Sequence, residues 1–133
     1  MPEKNLSNLT TWKNGSGSTI EKYRVVVTSS TKDECQYPSG ASSVETMIGA
    51  TSEQIADGKY GTVYTSGIVY LTAGASVSIG DKLVTADSAG RVKPKPAGAT
   101  TQGIIIVGKA LEAASSSGDI IAVQLVGINA YSS

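Results

Sequence analysis

From Tyr23 onward, short β-branched runs alternate with glycine-bearing turn signals at intervals of about ten residues, and this rhythm limits the fold to a sandwich or small barrel. Isoleucine and valine total 23 residues against 8 leucines and methionines, and 13 threonines add to them. Such side chains are stiff at χ1 and fit a pleated surface. Strands are expected at Tyr23–Thr28, Thr46–Thr51, Tyr60–Thr65, Ile68–Leu71, Lys82–Ala86, Arg91–Lys95, Ile104–Leu111, Ile120–Val126 and Ile128–Tyr131. Asp57-Gly58, Ser66-Gly67, Gly80-Asp81, Ala89-Gly90 and Gly118-Asp119 provide reversals, because glycine takes positive φ without steric cost. Pro94 and Pro96 end a strand, having no amide hydrogen to donate. Helix is confined to one turn at Thr51–Ala56 and to the helix formers of Leu111–Ser116.

The strands repeat. Val27-Thr28 matches Val84-Thr85, and Pro38, Gly40 and Ala41 match Pro96, Gly98 and Ala99, at an offset near 58. Ile48-Gly49 and Glu53 answer Val107-Gly108 and Glu112 at 59; Gly58, Val63, Gly67 and Ile68 answer Gly118, Val123, Gly127 and Ile128 at 60. The slips fall where loops belong, which gives two related β-units over about residues 21–70 and 79–131. Chance pairing in a chain rich in glycine, serine and alanine is the competing explanation. The expected fold is all-β, a small β-barrel or β-tulip-like domain built from two related units, with an extended N-terminal arm.

That arm is residues 1–19, with a single β-domain over 20–133. It is polar, ends in Asn14-Gly15-Ser16-Gly17-Ser18, and holds Leu6, Leu9 and Trp12 at spacings of three, which would line one side of a short helical turn. The arm either grips a partner, with Leu6, Leu9 and Trp12 as contacts, or folds back on its own domain.

Eleven basic and eleven acidic residues cancel, so the electrostatic footprint of a nucleic-acid or membrane-surface binder is missing. Histidine is absent, which removes Ser-His-Asp and Cys-His systems and the commonest metal ligand. Cys35 is the single cysteine, so neither an internal disulfide nor a Cys-x-x-Cys metal site is possible; a free buried thiol is expected. No metal or cofactor is expected. The start Met1-Pro2-Glu3-Lys4 leads into no apolar run, so synthesis and retention in the cytoplasm are expected. Asp33, Asp57, Asp81, Asp87 and Asp119 mostly adjoin glycine as turn formers, and the spacing of Glu45, Glu53 and Glu112 does not require an acid/base pair. Lys82, Arg91, Lys93 and Lys95 make a small positive strip, read as a solvated sheet face or a protected edge. Ile104–Val107 and Ile120–Val123 are continuous apolar runs, which suggests cover on both faces, the second from another copy of the chain or from a loop.

Ala73-Gly74, Gly80-Asp81-Lys82-Leu83-Val84, Asp87 and Gly90, then Val107-Gly108-Lys109-Ala110-Leu111-Glu112-Ala113, Gly118 and Val123-Gln124-Leu125, resemble the small capsid decoration, or cement, proteins of tailed bacteriophages. The resemblance covers roughly Thr46–Val126. It implies a compact β-barrel or β-tulip that sits on the outer surface of a phage head, commonly as a homotrimer, and carries no catalytic residues. The implied partners are the major capsid protein and further copies of itself, with no nucleic acid and no membrane. Its implied action is to stabilise the shell by bridging capsid subunits. A carrier domain of the biotinyl or lipoyl kind shares the two β-halves, but the tip Asp87-Ser88-Ala89-Gly90 holds no lysine, although Lys59 follows Asp57-Gly58. The resemblance also leaves open another structural phage role, such as a tail or baseplate component, and the many serines and lysines formally allow a Ser-Lys hydrolase.

Overall fold

The computed structural model describes residues 9–97 and 103–130. Ten strands follow one another: β1 (Leu9–Asn14), β2 (Val25–Thr28), β3 (Glu34–Gln36), β4 (Met47–Thr51), β5 (Tyr60–Tyr64), β6 (Ile68–Thr72), β7 (Lys82–Thr85), β8 (Val92–Pro94), β9 (Ile104–Ala110) and β10 (Ile120–Ala130). No helix occurs among the described residues.

The first five strands form a closed barrel in the order β1-β3-β2-β4-β5, because β1 lies antiparallel to β5 and parallel to β3. The other five form a sheet in the order β6-β10-β9-β7-β8, and a parallel bridge between Ala73 and Val92 draws its two edges together. Adding five to each strand number and reading round the barrel from β1 in the opposite direction turns the first order into the second. The isolated bridges correspond as well, Ile20 with Ile55 in one half and Val77 with Ala114 in the other. The repeat is therefore structural: Val27-Thr28 and Val84-Thr85 lie in β2 and β7, Ile48-Gly49 and Val107-Gly108 in β4 and β9, Val63 and Val123 in β5 and β10. The halves divide between β5 and β6, however, so Ile68, expected in the first unit as the match of Ile128, lies in the same half as Ile128. Gly98 and Ala99 lie outside the described residues.

The structure differs from the sequence expectation in several places. Leu9–Asn14, expected within a flexible arm, is β1, whose residues Leu9–Lys13 pair with Tyr60–Tyr64 and close the barrel. Its residues are mostly polar because only part of one face touches the core, so no apolar alternation marks it. β3 escapes detection for the same reason, Cys35 being its one buried residue. Ile120–Ala130 is one strand with a register shift between Leu125 and Ile128, where Gly127 takes φ 64; a bulge there replaces the expected break. Tyr131 lies outside the described residues. No helical turn forms at Thr51–Ala56 or Leu111–Ser116, because Ile55 and Ala114 are drawn into bridges instead.

The largest core cluster spans both halves: Val25, Val27 and Ala50 from the first pack with Leu71, Leu83, Ile105, Val107, Ile121 and Val123 from the second. A smaller cluster fills the first barrel with Ile20, Val26, Cys35, Ile55 and Val63. Ile104 and Ile106 join Val84 on the other side of β9. The Ile104–Val107 run is thus covered on both faces by its own chain, and no second copy is needed there.

Cys35 is fully buried and free. Burial outweighs a backbone hydrogen bond and raises its pKa from 9.0 to about 11. Below 9 the thiol is protonated in both folded and unfolded chains and contributes no pH dependence. Between 9 and 11 the unfolded chain releases the proton first, so stability falls as pH rises through that window and the loss is complete above the folded value. Urea midpoints measured for the native chain and for Cys35→Ala are expected to converge as pH goes from 8 to 11. A constant difference between them would contradict this reading.

Candidate functional site

Strand geometry separates the candidate contacts of the N-terminal segment. Leu9 and Trp12 are an odd number of residues apart, so in β1 they point to opposite faces and not along one side of a helical turn. Leu9 is 42% exposed and stands opposite Tyr64. Trp12 is half-buried against the first barrel's core cluster, and its Nε1 donates to Thr10 Oγ1 at 2.8 Å. Leu6 lies outside the described residues.

The carboxylates act on backbone. Asp57 accepts from Gly17 N, Asp81 from Ser78 N, Asp87 from Ala89 N, and Asp119 from Ser115 N and Ser116 N. Asp81, Asp87 and Asp119 each hold their own turn, as the sequence suggests, whereas Asp57 ties its turn to the Gly15–Gly17 loop 40 residues away. Glu53 accepts from Thr62 N at 2.9 Å and Glu112 from Ala122 N at 2.8 Å. These are equivalent bonds at equivalent positions of the two halves, so the matched glutamates clamp β5 and β10 in the same way. Glu45 accepts from Ser39 N and from the Ser43 hydroxyl. No cluster of His, Cys, Asp and Glu able to hold a metal ion occurs among the described residues.

Arg91 is drawn to Asp87, with Nη2 2.6 Å from Oδ2, and donates also to Ser117 Oγ. Asp87 is held below the usual carboxylate range: burial alone would raise it, but hydrogen bonds from Arg91 and from two backbone amides prevail. Lys93 lies on β8, the edge of the second sheet, with Lys95 just beyond it, and Lys82 stands opposite Lys109. An edge bearing lysines and Pro94 is protected against stray pairing.

The opposite edge of the same sheet is different. β6 alternates buried Val69 and Leu71 with Ile68 and Tyr70, which are 67% and 54% exposed. On the neighbouring strand Ile120 is 50% exposed and stands opposite Thr72. Tyr70 meets Tyr23 edge to face, centroids 6.1 Å apart, and Tyr23 holds φ 63 at the junction of the two halves. A groove of about 290 Å³ opens between Tyr23, Tyr64, Ile68 and Tyr70. It adjoins, through Tyr23, a hollow of about 310 Å³ bordered by Lys22, Arg24, Thr72 and Ile120. The sequence marks β6 as a strand but cannot say which face lacks cover, so it gives no reason to set Tyr23, Tyr64, Ile68 and Tyr70 apart. Ile68, Val69, Tyr70 and Leu71 are all apolar or aromatic, so their alternation exists in burial and not in sequence.

The model of a family described as phage cement protein matches residues 7–125. Among solved structures, the chain is similar to the head fiber gp8.5 N base in bacteriophage phi29, with a TM-score of 0.66 and 18% identity over 91% of this chain and 97% of that one. At this identity the likeness is one of fold, and it agrees with the barrel and sheet found in this chain. No curated protein matches the chain.

Proposed function

The chain belongs to the phage cement protein family, and from that premise we propose that it attaches to the outer surface of the mature head and stabilises the shell by bridging neighbouring capsid subunits. The family match over residues 7–125 carries this reading. Carboxylates bound into turns and clamps agree with a role performed by contact surface. Binding only the assembled shell would stabilise it by linkage, about 2.7 kcal/mol per site at a hundredfold excess over Kd. A homotrimer would add avidity, roughly 10²–10⁴-fold, where its geometry allows several contacts at once. In this reading Leu6, Leu9 and Trp12 touch the shell, Leu9 being the accessible one on β1 and Trp12 serving the barrel core as well.

Purified protein added to phage heads that lack it is expected to sediment with them and to raise the temperature at which they release DNA. Heads that neither bind the protein nor gain heat resistance would refute the proposal.

A further inference from the structure

We propose that the open edge of β6 is a strand-addition site that takes up an extended, carboxylate-bearing segment of the surface to which the protein attaches. This rests on the capsid-binding reading. The amide of Thr72 donates to Tyr23 O at 2.9 Å, on the side away from β10. Thr72 and Ile120 are therefore a non-hydrogen-bonded pair, and so are Tyr70 with Ala122 and Ile68 with Gln124, because the pattern alternates along an antiparallel ladder. The N–H and C=O of Ile68 and Tyr70 point away from β10, where no backbone or side-chain partner meets them among the described residues. Proteins usually charge, shorten or cover such an edge. β8 has lysine and proline, whereas β6 presents Ile68 and Tyr70 to solvent.

The groove of about 290 Å³ lies beside this edge and is lined by Ile68 and Tyr70 of β6 and by Tyr64 of β5. Its side chains supply apolar anchors, and the free backbone groups supply the ladder, which is how strand addition divides affinity and specificity. The chemistry at the Thr72 end fixes the occupant's charge. Arg24 Nη1 donates to Ala89 O, its Nε has no acceptor, and no carboxylate pairs with it among the described residues. Lys22 lies over the Tyr23 ring at 5.1 Å. Glu21 is the one acid among the residues lining the hollow, and Gln54 bonds to it, while Arg91, which also borders the hollow, is taken up by Asp87. A carboxylate on the added strand would meet both cations.

Hydrogen exchange of the protein, free and bound to heads, tests this. The Ile68 and Tyr70 amides are expected to slow at least tenfold on heads and to exchange freely in isolated protein. A Lys22→Gln/Arg24→Gln variant is expected to bind heads about tenfold more weakly with a flatter salt dependence while staying folded, its melting temperature lowered by only a few degrees for the lost Arg24–Ala89 hydrogen bond. Native protein that binds heads with those amides still open, or a variant that binds as the native chain does, overturns the inference and leaves the capsid reading intact. Protection already present in the free protein would assign the edge to another copy or to residues 1–8, overturning it too. Native protein that binds no heads removes both.

Discussion

Replacing Gly49 by alanine is expected to destabilise the protein by about 3 kcal/mol, and Gly108→Ala by a similar amount, as a lower urea midpoint at unchanged slope. A Cβ on Gly49 would lie inside the van der Waals shell of the Tyr64 carbonyl, and one on Gly108 inside that of the Gln124 carbonyl. In both cases the obstacle is backbone of the paired strand, which cannot swing aside as a side chain would. Neither glycine has positive φ, so the requirement is for space and not for an unusual conformation. The two stand 59 residues apart at the same place in β4 and β9, which lets one physical cause be tested twice. Gly40→Ala is the control, since nothing lies within 4 Å of its added Cβ, and it should change stability by less than about 0.5 kcal/mol. Equal midpoints for Gly49→Ala and Gly40→Ala would show that the close approach is absent in solution.

The second large effect concerns the core that joins the halves. Leu71 is fully buried in the cluster that also holds Val25, Val27 and Ala50. Leu71→Ala removes its buried methyl groups and leaves a cavity, at an expected cost of roughly 3–5 kcal/mol. Because the cluster crosses the boundary, the loss should be felt across the whole chain. Trp12 is the single tryptophan and sits in the first barrel, far along the chain from Leu71 in the second half. Its fluorescence and the far-ultraviolet circular dichroism are expected to report one shared midpoint, lowered equally by the substitution. A circular dichroism midpoint that falls while the Trp12 signal stays in place would mean that the halves unfold separately.

Seven of the ten strands lie where β-branched runs between glycine turns place them, and two runs expected as separate strands merge into β10. The duplication is also legible, because the residues that repeat do strict jobs: Gly49 and Gly108 make room for a carbonyl, and Glu53 and Glu112 each hold a backbone amide. β1 and β3 are not legible. A strand that closes a barrel while burying one or two side chains leaves little apolar pattern, and Leu9, Trp12 and Cys35 do not amount to a period. Ile104–Val107 misleads in the opposite sense, since a run covered on both faces by its own chain has the same pattern as one awaiting a partner.

An all-β chain of two related halves follows from local chemistry, because turn residues and side-chain branching act between neighbours a few positions apart. That β1 completes the first barrel, that Tyr23 and Tyr70 meet where the halves join, and that β6 keeps an open edge while β8 is guarded by lysine depend on long-range packing. Cover is a relation between segments distant in the chain. Whether Ile68 is buried or bare depends on what the remaining strands leave beside it.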